Sequence, residues 1–220
     1  MNADFSIVIP ADAIEQIDEC WGDGSKKSAF YYVGNEKVGY RWWDEAGNLA
    51  MEYGLKDNLM HGSFRTWHDN GKLCEESYYI AGKEDGIAKQ YDEDGSLIGT
   101  YEMDRGTGVD LWYQGQGILA EERSLQDGNL HGYERWWNSD NQTICREQHF
   151  QSGIEHGIYR EWDRYGRLRR RFPQYFVKGQ KTSKRRYLRA CQQDESLPKY
   201  IAAENSWERP LPSKIVAIAI

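Results

Sequence analysis

His61-Gly62-Ser63-Phe64-Arg65-Thr66-Trp67-His68-Asp69-Asn70-Gly71-Lys72-Leu73 is the clearest copy of a motif that recurs six times between Val38 and Gly166. Each copy has a glycine, an aromatic or basic stretch, an acidic or amide turn, a second glycine and a leucine. The second glycines are Gly47, Gly71, Gly95, Gly117 and Gly166, with Asn141 in the fifth copy, at spacings of 24, 24, 22, 24 and 25 residues. A period in this range marks stacked supersecondary units.

Aligned on the second glycine, the copies read as strand, turn, strand. One column of the first strand holds Trp43, Trp67, Tyr91, Tyr113, Trp137 and Trp162. Two residues earlier come Arg41, Arg65, Lys89, Leu111, Arg135 and Arg160, and two earlier again Gly39, Ser63, Ile87, Val109, Tyr133 and Ile158. Residues two apart share a face of a strand, so these columns lie side by side. The intervening Tyr40, Phe64, Trp42, Trp112, Trp136 and Tyr159 belong to the other face. Acid or amide before glycine supplies the positive φ of tight hairpins. The second strand opens at Leu49, Leu73, Leu97, Leu119 and Leu168, with Thr143 in the fifth copy, and ends in a turn at Gly82, Gly106, Gly128, Gly153 or Gly179.

His156-Gly157-Ile158-Tyr159-Arg160-Glu161-Trp162-Asp163-Arg164-Tyr165-Gly166-Arg167-Leu168 is the next clearest copy. This pattern resembles the MORN-type repeat in its bacterial variant, over about 140 of the 220 residues, Val38 to Gly179. Leu111 departs from it in the basic column, and Asn141 and Thr143 replace glycine and leucine. The resemblance implies an elongated, curved antiparallel sheet. Proteins of the bacterial variant are commonly described as antitoxins that bind and neutralise a toxin; eukaryotic relatives are associated with membrane junctions, phosphoinositides and scaffolding.

A lone sheet needs its edges managed. Pro10 to Cys20, with Ala11, Ile14 and Ile17 at helical spacing, predicts a short helix, and Phe30 to Val33 a first strand. Thr182 or Ser183 predicts the cap of a helix running to about Gln192, with Tyr187, Leu188 and Cys191 on one stripe. Ser196 to Ile201 is a second helix start, because proline is accepted in a first turn. The apolar run Ile215 to Ile220 reads as a closing strand or plug. The expected fold is an all-β repeat protein: about six consecutive hairpins in one antiparallel sheet with short helical caps at both ends. Its parts are residues 1–37 (cap), 38–179 (array) and 180–220 (basic helical cap and tail).

Net charge is −7, but Arg160 to Ala190 alone carries +10, leaving −17 on the rest. That polarity suits a basic partner for the body and a separate basic patch. Nine Trp and fifteen Tyr concentrate the apolar material in large amphipathic rings. Cys20, Cys74, Cys145 and Cys191 show no metal or redox spacing, which fits a reducing compartment. No signal-peptide pattern or transmembrane run is present, so a cytoplasmic protein is expected.

His61, His131 and His156 share one slot, yet equivalent positions in consecutive hairpins lie about 9.6 Å apart, too far for nitrogens that each sit ~2.0–2.1 Å from one zinc ion. Turn-associated hydrogen bonding is expected instead, with no metal and no cofactor. Glu52, Glu75, Glu76, Glu121, Glu122 and Glu147 read as a solvated β-face, with no pair singled out for catalysis. The Arg–aromatic columns are the candidate site, because such rings and guanidiniums pair at ~0.5–2 kcal/mol each and populate interface hot spots. They read equally as a self-stabilising ladder. Arg169, Arg170, Arg171, Lys184, Arg185 and Arg186 form the basic patch, which either engages nucleic acid or anionic lipid or neutralises the acidic sheet. The reading is a non-enzymatic, protein-binding module of antitoxin or immunity type with a basic protein partner, such as a toxin; the alternative is an anionic-surface binder.

Overall fold

A computed structural model describes residues 8–212, which divide into two compact units, 8–105 and 106–212. The first unit contains β1 (Ile14–Cys20), β2 (Lys26–Val33), β3 (Glu36–Trp43), β4 (Leu49–Lys56), β5 (Leu59–Trp67), β6 (Leu73–Ile80), β7 (Lys83–Glu84), β8 (Gly86–Tyr91) and β9 (Leu97–Asp104). The second contains β10 (Thr107–Gln114), β11 (Ile118–Gln126), β12 (Asn129–Trp137), β13 (Ile144–Gln151), β14 (Ile154–Glu161), β15 (Gln174–Val177), β16 (Gln180–Thr182) and one helix, α1 (Lys184–Ala190). Within each unit the pairings are antiparallel and follow chain order, with β7 and β8 both pairing β6.

The hairpin reading holds, but among the described residues the strands number sixteen and not the twelve of six hairpins. The residues predicted as an N-terminal helix are strand β1. Ile14 and Ile17 are 72% and 53% exposed, so no core exists to reward their helical spacing; pairing with β2 satisfies the backbone instead. The sixth hairpin loses its second strand: Leu168 makes only an isolated bridge to Trp162, and the chain reaches β15 irregularly. Ser183 caps α1 by accepting a bond from the Arg186 amide, as expected. Leu188, expected on the buried stripe, is exposed instead, whereas Tyr187 is buried. Ser196 to Ile201 forms no helix, because Leu197 is held in the core and the Pro198 carbonyl accepts the Tyr187 hydroxyl. The run Ile215 to Ile220 lies outside the described residues.

Two turns alternate along the array. At the first, Gly71 donates its amide to His68 and has φ 79°, and a one-residue register shift separates Thr66 from Trp67. Such a bulge tightens the twist beside the turn. Asn141, with φ 53°, does the glycine's work in the fifth copy, as the residue most tolerant of this region after glycine. The second turn has two residues, both at positive φ, as in Asp127-Gly128 (54° and 81°). That is the type I′ geometry that matches strand twist.

A second bulge sits opposite Gly54, where the register jumps between Tyr53 and Leu55. A Cβ built on Gly54 would lie 2.4 Å from the His61 carbonyl oxygen. Backbone must move to admit it, so Gly54→Ala is expected to cost about 1–3 kcal/mol. A lower urea midpoint for the first unit would report it.

Candidate functional site

The register places arginine opposite glutamate on strand after strand. In the first unit Arg41 faces Glu52, Glu52 faces Arg65, Arg65 faces Glu76 and Glu76 faces Lys89. The ion pairs follow at 3.0 Å (Arg41–Glu52), 3.9 Å (Arg65–Glu52), 3.1 Å (Arg65–Glu76) and 3.8 Å (Lys89–Glu76). In the second unit Glu122, Arg135, Glu147 and Arg160 continue the pattern across β11 to β14. Their separations are 3.4, 2.9 and 2.8 Å. The carboxylates read as a solvated face are therefore misread in part: Glu52, Glu122 and Glu147 are buried acceptors of this ladder.

Trp43, Trp67 and Tyr91 flank the ladder in the first unit and are half-buried, as are Arg41 and Arg65. In the second unit the same columns are covered. Tyr113 and Trp137 are buried, Trp162 is 2% exposed and Arg160 0%. Leu111, the departure in the basic column, is buried opposite Glu122. At Arg160 and Trp162 the cover is the chain's own stretch from Glu204 to Arg209. Trp162 donates its indole N–H to the Asn205 carbonyl at 2.7 Å. Arg160 meets Glu204 at 3.0 Å and the Asn205 side chain at 3.3 Å. Arg209 meets both oxygens of Glu147 at 3.2 Å. Behind it, Tyr187, Tyr175, Ile158 and Leu197 form a small apolar core.

Glu147 thus has three guanidinium neighbours. Burial pushes its carboxyl upward, but the bonds and charge of Arg209, with Arg135 beside it, outweigh this and hold the pKa at about 2. Burial pushes the Tyr133 hydroxyl, which donates to Glu122, up to about 12.

The opposite face carries the remaining aromatics. In the first unit Phe30, Tyr40, Tyr53, Phe64 and Tyr79 stack across strands with centroids 5.0, 5.0, 6.5 and 5.9 Å apart. In the second, Trp112 and Trp136 are 39% and 43% exposed, and Tyr159 packs edge-on against Phe172. Arg169, Arg170, Arg171, Lys184, Arg185 and Arg186 are all exposed, with Lys184 over the Tyr200 ring at 3.6 Å.

His61 and His156 each accept an amide from the following turn, Ala81 at 3.5 Å and Lys178 at 3.0 Å. His156 also faces the Ser196 hydroxyl at 3.0 Å through Nε2. Because Nδ1 accepts the Lys178 amide, the neutral ring carries its proton on Nε2. It cannot take a proton from Ser196, so this pair is a clasp for the C-terminal segment. Among the described residues no group of three His, Cys, Asp or Glu side chains is placed to hold a metal ion.

Burial pushes both His149 and His156 below the usual histidine range, against the pull of Glu147 and Asp194 respectively. A depressed folded pKa stabilises the fold above the unfolded value of about 6.5 and ceases to do so as pH falls through the folded value. The second unit is therefore expected to have a lower urea midpoint at pH 5 than at pH 7.5, and His156→Gln is expected to reduce that difference.

The arrangement defines a β-hairpin repeat protein that presents one ladder face half-open and one already holding a peptide segment. Residues 60–81 and 84–104 match the family described as MORN repeat variant. Repeats of this kind are generally protein- or membrane-binding modules. No curated protein matches the chain. No helix among the described residues is long and apolar enough to cross a membrane.

Proposed function

We propose that the protein is a non-catalytic protein-binding module of antitoxin or immunity type. The observation that carries the binding reading is internal: the ladder face of the second unit holds the chain's own Glu204 to Arg209 stretch through tryptophan, arginine and glutamate, and the first unit carries Arg41, Arg65 and Trp67 half-buried around a buried Glu52. Aromatic rings and arginines of this kind supply interface hot spots. The charge of −17 outside the basic stretch supports a basic partner protein, steered in over a Debye length of about 8 Å at physiological salt. The antitoxin form rests on the repeat resemblance. The non-catalytic reading is supported by the wrong-way tautomer of His156 and by the engagement of the ladder carboxylates with cations.

Affinity capture from the native host should recover a stoichiometric protein partner, and Arg41→Glu with an unchanged circular-dichroism spectrum should lose it. Recovery of no stoichiometric partner would sink the reading. The exposed basic patch favours a second reading, in which phosphoinositide or nucleic acid is the ligand. Its mark is salt-dependent binding to phosphoinositide vesicles or polynucleotide, abolished by neutralising Arg169 to Arg171 with Arg185 and Arg186.

A further inference from the structure

On the face opposite the ladder, the second unit carries two indoles on either side of a carboxylate. Glu121 of β11 lies directly across from Trp112 of β10 on one side and from Trp136 of β12 on the other. Both rings are exposed, and Glu121 between them is half-buried. Neither indole has a ring, a cation or a hydrogen-bond acceptor as its partner among the described residues. Side chains of a strand stand roughly perpendicular to the sheet, so rings two strand spacings apart leave a gap of about 9.6 Å. A cation centred in that gap lies about 4.8 Å from each ring, inside the ~6 Å over which a ring face attracts it.

The neighbouring guanidiniums are engaged outside this gap. Arg123, two positions along β11, pairs closely with Asp110 and reaches Glu121 only at 3.9 Å. Arg146, opposite Trp136, bonds Gln148 at 2.9 Å, pairs with Glu134 at 3.8 Å and lies over the Tyr159 ring. The charge around the gap is negative. Two cross-strand rows on β10 to β14 hold Asp110, Glu121, Glu134 and Glu161 against Arg123 and Arg146. Burial raises the Glu121 carboxyl above its usual range, and Glu134 and Asp110 add to this against the pull of Arg123. A further cation would relieve that crowding of carboxylates.

We propose that Trp112, Glu121 and Trp136 form a slot for an arginine side chain of a basic partner protein. A guanidinium is flat, so both of its faces can lie against indoles while its edge gives two N–H groups to one carboxylate. An ammonium is compact and strongly hydrated, and gains less from two ring faces. The charge of −17 outside the basic stretch draws such a partner towards the slot. A second copy offers its own Arg169 to Arg171, but that contact joins unlike patches and, repeated from copy to copy, grows into an open filament. The occupant is therefore a different protein.

This inference rests on the protein-binding reading and names one of its contacts. N-acetyl-arginine amide is the probe, titrated into the isotopically labelled full-length protein while the indole N–H resonances are followed by NMR. Trp112→Phe and Trp136→Phe assign the two signals, which should shift along one saturable curve. N-acetyl-citrulline amide keeps the shape without the charge and should leave them in place. Glu121→Gln should weaken binding roughly tenfold through the lost charge-assisted bonds. In affinity capture from the host, Trp112→Ala combined with Trp136→Ala should cut recovery of the partner roughly tenfold, with an unchanged circular-dichroism spectrum. Shifts that do not saturate, equal binding of the citrulline or N-acetyl-lysine amide, or no effect of Glu121→Gln overturns the slot. Undiminished capture by the double variant overturns the choice of occupant, as does self-association of the protein that Glu121→Gln abolishes. If the arginine amide fails to bind while a partner is still captured, this inference falls and the protein-binding reading stands. If it binds and no partner is recovered, that reading falls and the partner's arginine with it.

Discussion

Replacing Glu147 with alanine is expected to destabilise the second unit by about 3–5 kcal/mol, the usual cost of breaking a buried ion pair from one side. Glu147 is 2% exposed and lies among Arg135, Arg160 and Arg209. With Glu122 and Glu204 the cluster holds three carboxylates against three guanidiniums, so it is neutral as built. Removing the central carboxylate leaves a net positive charge with little water to receive it. The equivalent Glu52→Ala in the first unit is expected to cost less, about 1–2 kcal/mol, because Arg41 is one-third exposed and can rehydrate.

The pH dependence gives an independent reading of the same residue. The Glu147 carboxyl is depressed from about 4.5 to about 2, so its contribution is complete above about pH 4.5 and is lost as pH falls through 2. A shift of that size corresponds to about 3 kcal/mol, in line with the substitution. Urea midpoints of wild type and Glu147→Ala should therefore differ widely at pH 7 and converge towards pH 2. Equal midpoints at pH 7 would show that the cluster contributes no net stability.

The glycine period made the hairpins legible, and Asn141 was readable as the glycine stand-in because its chemistry permits positive φ. The Arg–Glu ladder was not, because its register depends on bulges. Glu122 lies five residues after Gly117, but Glu147 lies six after Asn141, and a strict column would put Arg146 on the ladder. One extra residue moves the ladder carboxylate along by one position, and only the paired structure shows where it falls. The strand β1 was misread from two isoleucines at helical spacing that both face water. The C-terminal cover had no periodic signature of its own. A signal was nevertheless present in the column Gly39, Ser63, Ile87, Val109, Tyr133, Ile158. It passes from small residues to large apolar ones along the chain, and its last member, Ile158, lies beneath the cover.

The same core decides whether the cover can be removed. Tyr187 is fully buried, with its ring 5.1 Å from that of Tyr175, and its hydroxyl donates to the Pro198 carbonyl at 2.5 Å. Burial pushes that hydroxyl far above the ordinary tyrosine range, so it stays a donor at every accessible pH. Tyr187→Ala is expected to cost about 3–5 kcal/mol through the lost ring and the cavity left behind. Tyr187→Phe removes only the hydrogen bond and should cost about 1–2 kcal/mol. The ring joins α1 and Leu197 to Ile158 of β14, whereas the Glu204 to Arg209 segment is held by the ion cluster and by the Ile144 and Arg209 amides. The two attachments are distinct, so losing the first should loosen the segment before the strands part. Hydrogen exchange of the Ile144 amide, which donates to the Trp207 carbonyl, should then accelerate in Tyr187→Ala while amides bonded between β13 and β14 stay protected. Simultaneous loss of both would mean that cover and sheet unfold as one. Local release would uncover Arg135, Glu147, Arg160 and Trp162, and the variant should then bind an added peptide of residues 199–212 more tightly than the wild type does.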